Sequence, residues 1–178
     1  MTILRNGRPL SCKRLNRQSG QAMLEFAIIA SLVIILVFAI IDFGRAFNQM
    51  QIMVDLTRQG SNLASRGTSL TDSVSAVLAG DAPLNINASG EVIITSVTNN
   101  SSGNIITGQV AAGGTSQASQ VGTGVGSTAN IPSAAQQMMQ PGQTIYITEV
   151  YYNYQPITPV ASMLNLVMPS TFYQVAYF

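Results

Sequence analysis

The sequence predicts an α+β protein. One long N-terminal helix, transmembrane in its first half and amphipathic in its second, carries a small C-terminal antiparallel β-sheet head. Three observations lead there. The 20 residues from Ala22 to Ile41 are apolar except for Glu25 and Ser31. Apolar residues at helical spacing continue past that run, with no proline before Pro83. Beyond Pro83 the pattern changes to short β-branched runs separated by turn residues.

Residues 1–20 read as a basic leader. Arg5, Arg8, Lys13, Arg14 and Arg17 lie there without an acid, whereas the remainder holds three bases and seven acids. A basic stub before an apolar run stays on the cytoplasmic side, so the chain after the run is expected outside. Cys12 is the only cysteine and histidine is absent. A disulfide framework and Cys-x-x-Cys metal or redox sites are therefore excluded.

The run over residues 21–41 makes ~30 Å of helix, one bilayer crossing. A buried helix of a soluble protein is the competing reading. Apolar character on every face and the basic flank speak against it. Over residues 42–67, Phe43, Ala46, Phe47, Met50, Met53 and Val54 recur every three or four positions and extend the helix to about Arg66. Asp42 with Arg45, and Asp55 with Arg58, stand three apart and read as solvated helix pairs.

Residues 68–178 form the expected head. Leu70 to Leu78 reads as a short helix closed near Gly80. Glu91 to Thr98 and Asn104 to Val110 read as a hairpin around Asn99 to Gly103, with further strands from Thr144 to Tyr152 and from Thr171 to Phe178. The tract from Ala111 to Asn130 has few large apolar residues, so a mobile loop with little to bury is expected there.

Little in the chain suggests catalysis. Gly122, Gly124 and Gly126 lack the strand, helix and Lys-Ser/Thr of a phosphate loop and read as linker. Without histidine, and with Lys13 the sole lysine, no base is available to activate a serine. From Val92 to Phe178 the only charged residue is Glu149, so no carboxylate pair exists there; an outward-facing strand position is its simplest explanation. No cofactor, metal or small-molecule substrate is expected. Nucleic acid is excluded because Arg45, Arg58 and Arg66 are the only bases outside the leader.

All six tyrosines fall between Tyr146 and Tyr177. Either they pack the sheet, or Tyr146, Tyr151, Tyr152 and Tyr154 form a subunit contact, since tyrosine suits protein interfaces. A head with so little charge is poorly protected against association and looks built to be covered by neighbours.

The segment RQSGQAMLEFA from Arg17 to Ala27, the apolar run, and IDFGRAFNQMQIMVDLTRQGSNLASRG from Ile41 to Gly67 together resemble TadE-like proteins of tight-adherence (Flp, type IVb) pili. The junction from Gly20 to Glu25 also resembles a prepilin cleavage site. The closing segment from Val150 to Val160 is similar to that family's C-terminal region. The resemblance implies insertion in the inner membrane and cleavage by a prepilin peptidase between Gly20 and Gln21. A carboxylate is costly inside an apolar helix, so Glu25 either pairs with the amine that the cut frees on Gln21, which gives it a role in assembly, or snorkels to the cytoplasmic interface. The resemblance also implies a minor pseudopilin, structural or priming, whose partners are other pseudopilins, pilin subunits, the peptidase and membrane lipid. The Ala111 to Asn130 tract has no counterpart in the family pattern, so head contacts are not carried over. The alternative from another class is an uncleaved, membrane-anchored adhesion module; an enzyme is the more distant reading.

Overall fold

A computed structural model of the protein describes residues 18–158 and 169–178. The basic side chains of the leader and the last two residues of the Val150 to Val160 segment lie outside these.

The N-terminal pattern folds as one helix, α1 (Gln18–Ser65), of 48 residues. At ~1.5 Å per residue it is ~70 Å long, enough to cross a bilayer and reach ~35 Å beyond it. Among the described residues nothing covers its first half: Met23, Phe26 and Ile34 are all exposed. From Asp42 onward one face is buried, through Ala46, Gln49, Met53, Leu56, Ser61 and Ala64. The helix ends at a left-handed glycine. Gly67 has φ 92°, Thr68 N–H donates to the Leu63 carbonyl at 3.3 Å, and Gly67 N–H donates to Ala64 at 3.1 Å.

The second helix, α2 (Leu70–Ala79), is capped by Ser69, whose hydroxyl oxygen accepts from Asp72 N–H at 3.1 Å, and is closed at Gly80. A short turn of helix, α3 (Ile86–Ser89), leads into β1 (Gly90–Asn100). The hairpin to β2 (Gly103–Gly113) turns where expected, with Asn100 Oδ1 accepting from Ser102 N–H at 2.9 Å and Gly103 in the left-handed region. Another short helix, α4 (Ser133–Met138), precedes β3 (Thr144–Asn153), and β4 (Thr171–Tyr177) follows. The four strands form one antiparallel sheet in the order β2-β1-β3-β4.

Both faces of the sheet are covered. On one, α1 lies over β3 and β4 while α2 lies over β1 and β2. Val92, Ile94, Val150, Tyr152 and Phe172 there meet Met53, Leu56, Val74 and Val77. On the other, Val97, Ile106 and Ile147 meet Val121, Ala129, Ile131 and Met139. Each fully buried aliphatic side chain is worth about 1.5–3 kcal/mol relative to exposure, so both layers matter to stability.

The second layer corrects the expectation of a tract with little to bury. Ala111 to Gly113 continue β2, and the following chain folds back over the sheet. Thr128 bridges Ile105, and Ile106 N–H donates to Ser127 at 2.9 Å. The residues that close this face, Val121, Ala129 and Ile131, are small or isolated in the sequence. Composition therefore understates their burial.

Gly60 fixes how closely α1 approaches the sheet. A Cβ there would lie 2.8 Å from Thr148 Oγ1 and 3.0 Å from Val77 Cγ2. Gly60→Leu is therefore expected to destabilise the head by about 1–3 kcal/mol through overpacking. Gly44→Ala, where nothing lies within 4 Å, should leave it unchanged or slightly more stable. Denaturant unfolding of the two variants checks the contrast.

Candidate functional site

Gly20, Gln21 and Glu25 lie near the start of α1 and are exposed. Gln21 and Glu25 share a helix face, and Gln21 Nε2 donates to Glu25 Oε1 at 3.1 Å. The carboxylate at the edge of the apolar run thus has a donor on its own helix, one turn back.

At the other end of the apolar run stands Asp42, which the sequence places among solvated pairs. The structure corrects this: Asp42 is wholly buried. Its carboxylate accepts from Ile157 N–H at 3.2 Å and from the Thr158 hydroxyl, and its carbonyl accepts from Tyr154 O–H at 2.9 Å. The chain leaving β3 is thereby fastened to α1 where the helix emerges from its apolar half. A signal for it existed, because Asp42 shares its helix stripe with Ala46, Gln49 and Met53.

Glu149 is also corrected. It is not an outward strand residue but is fully buried, on the face covered by the folded-back tract. Its carboxylate accepts from Gln120 N–H at 2.8 Å, from Tyr173 O–H at 3.0 Å, from Tyr151 O–H at 3.3 Å, and from the Ser119 hydroxyl. Tyr151 O–H also lies 3.0 Å from the Ala118 carbonyl, and Gln117 N–H donates to the buried Glu91. Two carboxylates thus hold residues 117–120 onto the sheet. Burial, and then the negative charge of Glu149 beside them, push the phenols of Tyr151 and Tyr173 well above the ordinary tyrosine range. Burial first, and then Asp42, act on Tyr154 in the same direction.

Of the four tyrosines singled out in the sequence, Tyr151, Tyr152 and Tyr154 are buried inside the protomer and Tyr146 is half-buried. The packing alternative describes where they lie. Tyr154 stacks on Phe172 with ring centroids 5.1 Å apart, and Tyr151 meets Tyr173 at 4.9 Å. Among the described residues no cluster of three or more His, Cys, Asp or Glu side chains is placed to hold a metal ion.

The large exposed apolar surface lies elsewhere, on the flank of α1. Leu36, Ala39, Ile40, Phe43, Gly44 and Phe47 line a groove, continued by Met50, Gln51 and Val54. Phe43 is 46% exposed and Phe47 64%. The sequence put these residues in one amphipathic series with Ala46 and Met53; the fold divides that series into a face that meets the head and a face that stays open.

Fold and sites together define a membrane-anchored protein, in which one helix, long and apolar enough to cross a bilayer, carries an α+β head. The family model described as TadE-like protein matches residues 20–62, the stretch that runs from the cleavage-like junction through the span and along the docked helix. Over that stretch the chain is similar to TadE-like proteins, in agreement with the resemblance read from its motifs. No curated protein and no solved structure matches the chain.

Two outcomes are expected at the Glu149 cluster. Glu149→Leu leaves Ser119, Gln120 and Tyr173 without their acceptor, while Tyr151 keeps the Ala118 carbonyl, and should cost on the order of 3 kcal/mol, read by denaturant unfolding. The raised phenols stay protonated in the folded protein after those of the unfolded chain ionise. Stability should therefore hold up to about pH 10 and fall as pH rises further, each such tyrosine adding up to about 1.4 kcal/mol per pH unit. Tyr151→Phe should flatten that decline; an equally steep one would contradict the burial.

Proposed function

We propose that the chain is a minor pseudopilin, a structural or priming subunit of a tight-adherence pilus, which sits in the inner membrane with its head outside. The observation that carries this reading is the open apolar flank of α1, which continues past the end of the span to Phe47 and Val54. An anchor alone needs no apolar surface beyond the headgroup layer; Met50 and Val54, ~12–18 Å along the helix past Asp42, carry the patch beyond it, and a patch of this kind marks an interaction site. A second apolar helix laid along it would bury the phenylalanines by ridge-and-groove packing. Gly44, with no heavy atom near the position of a Cβ, would let that helix approach closely. The partners of this surface would be the helices of other pseudopilins and pilin subunits.

On this reading residues 1–20 are a leader removed by a prepilin peptidase, residues 21–41 span the membrane and residues 42–67 present the docking flank. Cleavage after Gly20 gives Gln21 a free amine on the helix face that already carries the Glu25 carboxylate. That amine could neutralise Glu25 in its own or a neighbouring subunit. The head then acts as a rigid outer body rather than a catalyst.

Intact mass of the protein from native membranes tests processing: loss of residues 1–20 is expected, and a retained leader would favour the uncleaved anchored module. Gly20→Ala should block the cut. Glu25→Ala and Phe47→Asn should leave insertion, cleavage and head unfolding unchanged and lower co-purification with partner pseudopilins about tenfold, equivalent to about 1.4 kcal/mol. Undiminished co-purification of both would remove the assembly role.

A further inference from the structure

We infer that the end of the head nearest the membrane rests in the lipid interface, with Ile157 as its inserted side chain. The inference needs the apolar half of α1 to be in a bilayer, and it adds a lipid contact made by the head itself.

Height is fixed by the Asp42 fastening. Asp42 directly follows the last residue of the apolar run, and Ile157 N–H donates to its carboxylate at 3.2 Å. Tyr154 O–H and the Thr158 hydroxyl bond the same residue. Ile157 is therefore held level with the point at which the helix leaves the hydrocarbon. The headgroup layer on each side is roughly 5–8 Å deep, so a side chain at that level lies within it.

Chemistry points the same way. Ile157 is 61% exposed although Tyr154 and Thr158, which flank it in the chain, are both bonded to Asp42. It is a large aliphatic group pointing away from the core at the one level where lipid, rather than water, is adjacent. No charged side chain occurs from Val150 to Phe178, so nothing in that stretch requires full hydration. Asp42, the nearby acid, is buried and has its own donors. Val125, similarly exposed at 67%, is different: Gly126 beside it is bonded to Ile106, towards the far end of the sheet, where β1 pairs Thr98 with Thr144. The near end, in contrast, pairs Gly90 with Tyr152.

The test uses the full chain in phosphatidylcholine nanodiscs containing a fluorescence-quenching doxyl lipid. With Cys12→Ser removing the single native thiol, one label is placed in turn by Ile35→Cys, Ile157→Cys or Val125→Cys. Quenching is expected at positions 35 and 157 and not at 125. Quenching at 35 with position 157 behaving like 125 would overturn the lipid contact while leaving the span intact. No quenching at 35 would overturn the span and the contact with it. A second arm guards against the label drawing itself into lipid. With the label moved to Gln155→Cys, adding Ile157→Asp should lower quenching about twofold, since a carboxylate is expelled from the interface; no change would overturn the role of Ile157.

Discussion

Everything outside the membrane hangs on one face of α1. From Asp42 to Ala64 that face is buried against β3 and β4, so the helix that forms the span also supplies the floor of the head's core. The contact is close because its residues are small where the sheet is nearest. Gly60 sits against Thr148, and Ser61 Oγ reaches both Thr148 Oγ1 at 2.9 Å and the Ala176 carbonyl at 3.1 Å. The larger side chains Met53 and Leu56 fill the space nearer the membrane beside Val92, Ile94 and Val150. A helix docked along this length cannot tilt independently of the sheet. Span and head therefore behave as one body, and the open flank of α1 keeps a constant orientation to both.

Three buried acids provide directional contacts in a chain that holds only one charged residue, Glu149, from Val92 to Phe178. Asp42, Glu91 and Glu149 are all buried, and their described partners are amide N–H and hydroxyl donors. A buried carboxylate without donors costs several kcal/mol, so each one excludes arrangements that lack its partners. Asp42 sets the height of the sheet on the helix, while Glu149 and Glu91 set the position of the folded-back tract. Apolar packing alone would tolerate sliding in either case. The low surface charge is compatible with a body that lies against membrane on one side and neighbouring helices on another.

Much of this was legible in the sequence, for identifiable reasons. The helix was visible through its unbroken apolar period, its end at Gly67 and the turn around Asn99 to Gly103 through residues suited to those conformations, and the four strands through β-branched runs. The second sheet face was harder to see. It is closed by Val121, Ala129 and Ile131, scattered in and just after a polar tract that is held by backbone bonds and by the distant carboxylates of Glu91 and Glu149. Glu149 reads as solvated because a lone carboxylate on a strand usually is; Ile147 and Tyr151, two positions away on either side, mark its face as apolar. At Asp42 the apparent partner Arg45, three residues on, suggests a solvated pair. The helix stripe that Asp42 shares with Ala46 and Met53 is the better guide. Strand order and the resting place of the tyrosines depended on contacts far apart in the chain, for which local pattern carries no signal.

The account stands on α1 being continuous and docked across the membrane boundary. Amide hydrogen exchange of the full chain in nanodiscs reports this directly. Protection is predicted to run without a break from the span through Asp42 to Ala64, matching that of β1 and β3. Rapid exchange between Phe43 and Met53, with the sheet still protected, would show a hinge between membrane and head and would contradict the single rigid body.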